Sequence, residues 1–205
     1  KKFKEFEQLS SVNSGLIKPE RIVKELNNVL PEDTYMIVDP GTPCPYFAAY
    51  YKFKKSGRYF ITNRAHGALG YALPAAIGVQ IAKPKNKTVS IMGDGSFGFA
   101  VGELETALRL KLPIIFIVIS NSVYGWIKAG QKTKFDKRYF SVDFTRTDHF
   151  KVAAAFGLKS WKVEKPGDLK KIILQALKYK KGPCLIDIIS QPLQDAKAPV
   201  SEWIA

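Results

Sequence analysis

Acidic residues are scarce in this chain: 18 Asp and Glu stand against 32 Lys and Arg in 205 residues, a formal net charge of +14. Cysteine is scarcer still. Cys44 and Cys184 have neither CxxC spacing nor a neighbouring histidine, which argues against a disulfide framework or a zinc site and leaves buried free thiols. No apolar run approaches the roughly 20 residues of a membrane helix, so a soluble protein is expected. The segment Lys1-Lys2-Phe3-Lys4-Glu5-Phe6 lacks the apolar core and small residues of a secretory signal, and the cytoplasm is the expected location. Internal repeats and low-complexity segments are also missing. The surplus of base points to anionic partners in general. Its lysines are nevertheless dispersed, with local clusters at 52–55, 128–138 and 178–181, and no aromatic-interleaved RNA motif accompanies them. A solvated basic surface is the better reading, and a nucleic-acid partner is disfavoured.

What is present is a regular alternation. Ile22, Val23, Leu26, Val29 and Leu30 fall at helical spacing, Pro31 breaks the pattern, and 35–38 reads as a short buried strand. Segment 46–53 reads as a helix or irregular cover, Phe60 and Ile61 as a short strand, and 68–82, rich in Ala and Gly, as a packed helix with Pro74 in its early part. Strands follow at 88–92 and 114–119 with a helix over 101–110 between them. A helix at 150–156, a strand at 160–163, a helix start at 166–168, a helix over 169–179 and a final strand at 184–189 complete the series. Repeated βα units predict an α/β fold: a doubly wound, mostly parallel sheet with helices on both faces and a site at its carboxyl edge. One domain over 16–192 is expected, with 1–15 as an extension or linker and 193–205 as a tail.

The chemistry concentrates at two strand ends. Gly93-Asp94-Gly95-Ser96 follows the strand at 88–92, and Asn121 closes the strand at 114–119. A strand, a glycine turn and a helix start make an anion site, and an aspartate inside it calls for a cation. Residues 93–98 also satisfy G-x-G-x-x-G, the dinucleotide fingerprint, but the next strand ends in Ser120-Asn121 where that fingerprint expects a ribose-binding acid. Asp94 would also repel a bare pyrophosphate. A tight turn at the glycines and a capping Asn121 remain the plain structural alternative.

Together these residues resemble the diphosphate-binding domain of thiamine-diphosphate enzymes, whose signature is GDG followed at an interval by paired asparagines. Asp39-Pro40-Gly41-Thr42 and the segment from Gly67 to Gly78, similar to GxxGxxLPAAIG of the acetolactate synthase and benzoylformate decarboxylase branch, extend the likeness over about 16–192. The resemblance implies that Asp94, Asn121 and the Val123 carbonyl hold Mg²⁺, and that Gly93, Gly95, Ser96 and Phe97 surround the phosphates. It implies that Gly41 and Thr42 grip the thiamine diphosphate from the other side. Leu69 would be the wedge under the cofactor and Gly67 the carbonyl that accepts from its aminopyrimidine, although Leu69 as helix core and Thr42 as a turn residue stay open. Ser120 departs from the pattern, replacing the first asparagine. His66 is a candidate proton-transfer group, with a structural role as the alternative, and His149 is expected at the surface. Tyr124, Trp126 and Gln131 follow the metal segment where relatives shape the pocket, and aromatic packing explains the first two equally.

The resemblance also implies an activating glutamate on a separate pyrimidine-binding domain, usually from a neighbouring subunit, and the chain offers no such domain. Glu103 matches a helix position of the same domain instead. The implied activity is that of one subunit or domain of an enzyme acting on a 2-oxoacid such as pyruvate, by decarboxylation or acetolactate synthase-like carboligation, in a hetero- or homo-oligomer. The alternative is a non-catalytic thiamine-diphosphate-binding or regulatory module.

Overall fold

The computed structural model describes residues 2–192; the tail expected at 193–205 lies outside them. The elements in chain order are α1 (Lys2–Ser10), α2 (Pro19–Val29), β1 (Tyr35–Val38), α3 (Pro43–Tyr50), β2 (Phe60–Ile61), α4 (Ala72–Ala82), β3 (Thr88–Gly93), α5 (Asp94–Ala100), α6 (Glu103–Arg109), β4 (Ile115–Ser120), α7 (Gly125–Lys134), α8 (His149–Ala155), β5 (Lys159–Val163), a 3₁₀ turn (Pro166–Asp168), α9 (Leu169–Lys178) and β6 (Cys184–Ile189). The strands form one sheet in the order β2-β1-β3-β4-β6-β5, and every pairing is parallel. This is the doubly wound α/β architecture that the alternation predicts.

The central strand shows why. All of β4 is buried, with Ile115, Ile117 and Ile119 in the core on one face and Phe116 and Val118 in the core on the other. A continuous β-branched and aromatic run suits a strand covered on both sides, and each such side chain fully buried contributes about 1.5–3 kcal/mol. The first face packs against Ile22 and Leu26 of α2, Phe47 of α3 and Ile173 of α9. The second packs against Leu73 and Ala76 of α4, Leu104 of α6 and Ala153 of α8. Helix α1, in the segment expected as an extension, lies against α2 and stacks Phe6 on Tyr50 at 4.6 Å.

Chain direction across the sheet reverses between β1 and β3: β2 lies outside β1, whereas β3 and β4 follow on its other side. Loops leaving β1 and β3 therefore diverge and open a crevice at the carboxyl edge. Cys44 and Cys184 are buried free thiols, as expected, and burial pushes the Cys184 thiol up to about 12.

Candidate functional site

A cleft of about 350 Å³ occupies that crevice. Its walls come from the loop after β1, the loop between β2 and α4, the β3–α5 junction and the segment after β4. Gly41, Thr42, His66, Gly67, Leu69, Gly93, Asp94, Gly95, Ser96, Asn121, Val123 and Tyr124 all line it. Of the site residues expected from the sequence, Gln131 lies outside it, and so does Phe97. Its ring is buried and meets His149 edge-on at 5.3 Å.

The glycine segment is more helical than the sequence suggests. Helix α5 begins at Asp94 itself, with Gly93 extended before it. Asp94 is 4% exposed, and its carboxylate is braced from the backbone. Oδ2 accepts from the Asn121 amide at 2.7 Å and the Ser122 amide at 2.6 Å, and Oδ1 from the Gly95 amide at 2.9 Å. Burial raises the pKa of this carboxyl above its ordinary value, and the hydrogen bonds from Ser122, Asn121 and Gly95 act against that rise. Ser122 can donate because the chain turns there through φ 58°, in the left-handed region. The Val123 carbonyl accepts from the Gly125 amide at 2.9 Å.

Among the described residues the Asn121 side chain has no hydrogen-bond partner, and no cluster of three or more His, Cys, Asp or Glu side chains suitable for a metal occurs. Among the described residues Asp94 is the sole carboxylate in the cleft lining. A hard cation held here by one carboxylate, one amide oxygen and one carbonyl would need its remaining ligands from water and from an anion bound beside it. The donor set thus fits a Mg²⁺-bridged diphosphate better than an all-protein cage.

A second buried carboxylate underpins the cleft. Asp39 is fully buried and accepts from the Tyr71 amide at 3.3 Å and the Ala72 amide at 3.4 Å, tying the start of α4 to the end of β1. Burial lifts its pKa from 3.8 to about 6, and hydrogen bonds from Ala72, Ser96, Tyr71 and Gly70 oppose the rise. The Ser96 hydroxyl accepts from the Gly70 amide at 3.4 Å and serves Asp39, so it is already engaged within the protein. Leu69 sits in the loop before α4, not in the helix, and a Cβ at Gly41 would lie 3.5 Å from its Cδ2.

His66 is exposed on the rim of the cleft. Beside it, Arg64 lies 5.7 Å over the Trp126 ring and donates to the Pro40 carbonyl at 3.2 Å. Tyr124 and Trp126 line the cleft, whereas Gln131 bonds the Phe140 backbone outside it. Glu103 is exposed on α6. The expectation of a surface His149 is wrong: it is 7% exposed, because Ser120 and Asp187 offer it a polar niche under α8.

Residues 39–188 match the family described as thiamine pyrophosphate enzyme, C-terminal TPP binding domain. Similar proteins include an acetolactate synthase of Bacillus subtilis, 38% identical over 170 residues that make up 83% of this chain and 29% of that protein. The mitochondrial acetolactate synthase catalytic subunit of Aspergillus candidus is 33% identical over 189 residues, 91% of this chain and 26% of its own. A probable acetolactate synthase large subunit of Methanococcus aeolicus is 31% identical over 182 residues, 86% and 30%. The chain therefore spans less than a third of the length of these relatives.

Proposed function

We propose, because the chain belongs to the thiamine pyrophosphate enzymes and carries their C-terminal TPP-binding domain, that it holds the diphosphate end of the cofactor in an acetolactate synthase-like enzyme acting on a 2-oxoacid such as pyruvate. The observation that carries the reading is the Asp94 carboxylate, buried and braced by the Asn121 and Ser122 amides beside an Asn121 side chain that has no partner among the described residues. In this reading Asp94, Asn121 and the Val123 carbonyl hold Mg²⁺. Gly41, Thr42, Gly93 and the amides of Gly95, Ser96 and Phe97 surround the diphosphate, while Tyr124 closes the side of the pocket. Leu69 supports the cofactor from below and Gly67 offers its carbonyl to the aminopyrimidine.

When bound, the cofactor supplies a nucleophilic carbon that adds to a ketone and accepts the electron pair released with carbon dioxide. The protein's part is to orient it, to screen the diphosphate charge and to exclude water from the cleft floor. His66, on the rim, is placed to pass a proton to a bound reactant. The missing acid that activates the aminopyrimidine is assigned to a pyrimidine-binding domain on another segment or subunit, in keeping with the small share of the relatives' length that this chain covers.

Calorimetric titration of thiamine diphosphate into the chain tests the reading. Binding with Mg²⁺ that disappears with EDTA supports it. Equal heats with and without metal, or none in either condition even with a pyrimidine-domain chain added, overturn it. Turnover of pyruvate by this chain alone at an ordinary enzymatic rate would remove the partner from the proposal.

A further inference from the structure

Behind the cleft, a second set of polar side chains is buried near the carboxyl edge of the sheet. Ser120 is the last residue of β4, Asp187 lies in β6 and His149 opens α8; they are 5%, 0% and 7% exposed. Ser120 Oγ lies 2.6 Å from Asp187 Oδ1 and 3.1 Å from His149 Nδ1, and Asp187 Oδ2 accepts from the Phe150 amide at 3.3 Å.

Proton counting fixes the direction of this chain. A hydroxyl has one proton, and the short contact to a carboxylate takes it, so Ser120 donates to Asp187. His149 must then carry its proton on Nδ1 and donate to the Ser120 oxygen. These are the residue types of a nucleophilic triad, but the order of contacts is wrong for one. The serine proton goes to the aspartate, and the imidazole nitrogen facing the hydroxyl is a donor and no base.

The position of the cluster explains it better. Ser120 immediately precedes Asn121, and the same His149 ring rests edge-on against Phe97, one turn along α5 from Asp94. One imidazole therefore touches both segments that carry the metal-site residues, and Asp187 anchors it to the neighbouring strand. We propose that His149 and Asp187, acting through Ser120, are positioning residues that set the Asn121–Val123 turn against Asp94. The inference rests on the cofactor reading of the cleft. It also accounts for Ser120 at the position where the sequence departs from paired asparagines: its hydroxyl accepts from the His149 Nδ1–H and donates to Asp187, which ties the strand end to both.

Mg²⁺ demands near-ideal octahedral geometry and Ca²⁺ tolerates irregular sites, so a loosened turn penalises Mg²⁺ more. Thiamine diphosphate binding to the full chain is measured by calorimetry across Mg²⁺ and Ca²⁺ series for wild type, Ser120→Ala, His149→Phe and Ser120→Thr. Ser120→Ala and His149→Phe are expected to raise the half-saturating Mg²⁺ about tenfold or more, with a smaller rise for Ca²⁺, whereas Ser120→Thr retains the hydroxyl and the wild-type ratio. In hydrogen exchange, without ligand, the Asn121 and Ser122 amides open faster in Ser120→Ala. A lower melting temperature with an unchanged Mg²⁺/Ca²⁺ ratio, or unchanged exchange at those amides, overturns the positioning role. Failure of wild type to bind cofactor with either ion overturns the reading of the cleft and this inference with it.

Discussion

Asp94 and Asn121, 27 residues apart in sequence, are joined by a 2.7 Å hydrogen bond from the Asn121 amide to the Asp94 carboxylate. The carboxylate thereby does two jobs: it is a cation ligand in the proposed site and the acceptor that locks the loop after β4. Replacing it with alanine leaves the Asn121 and Ser122 amides without their partner, at about 1–3 kcal/mol each. Asp94→Asn keeps an acceptor and removes the charge. Asp94→Asn is therefore expected to lower the melting temperature less than Asp94→Ala, while both weaken Mg²⁺-dependent cofactor binding about 100-fold or more. Thermal unfolding beside calorimetry separates the two roles.

Gly95 is required by close approach. A Cβ there would lie 2.5 Å from Cε1 of Tyr124, whose ring is itself packed at 5.1 Å against Phe144. Gly95→Ala should displace Tyr124 and cost about 1–3 kcal/mol. The double variant Gly95→Ala/Tyr124→Leu should recover part of that loss, as read by denaturant unfolding.

Asp39 gives the fold a definite pH signature. Its folded pKa of about 6 lies above the ordinary 3.8, so the native state holds this proton more tightly than the unfolded chain. The associated stability is complete below about 4 and is lost as pH rises through about 6, a shift of about two units or about 3 kcal/mol. The unfolding free energy of wild type relative to Asp39→Asn should fall between pH 4 and 6 and level off above about 7. A flat difference over that range contradicts the assignment.

Phe116, fully buried near the start of β4, reports on the second face of the sheet. Phe116→Ala should cost about 3–5 kcal/mol, and Ile117→Val on the opposite face about 0.5–1.5 kcal/mol. A double variant whose loss departs from the sum of the two would mean that the two cores are not independently packed.

Much of this molecule is legible in the amino-acid order because the signals are local. The run Cys184–Ile189 folds as the strand it reads as, and the run at 114–119 appears one residue later as Ile115–Ser120. The cleft is legible for the same reason: its residues occupy strand ends, which hydropathy marks. Helix α7 is not, because only Gly125 is buried in it and no apolar stripe announces it. Helix α1 has a signal, Phe3, Phe6 and Leu9 at spacing three, that is short enough to pass for an extension. His149 is illegible for a different reason: its partner Ser120 is 29 residues away and Asp187 arrives from another strand. A lone histidine says nothing of a niche built by tertiary contact.

Gly93 and Gly67 both border the cleft, and a Cβ at either would meet no protein atom within 4 Å. They differ in backbone: Gly67 has φ 76°, which a side chain strains, whereas Gly93 is extended at φ −77°, which any residue adopts. A methyl at 93 is therefore silent to the fold and audible only to whatever enters the cleft. That position works as a depth gauge, where Ala, Ser and Val in turn measure how closely an occupant comes down upon the end of β3.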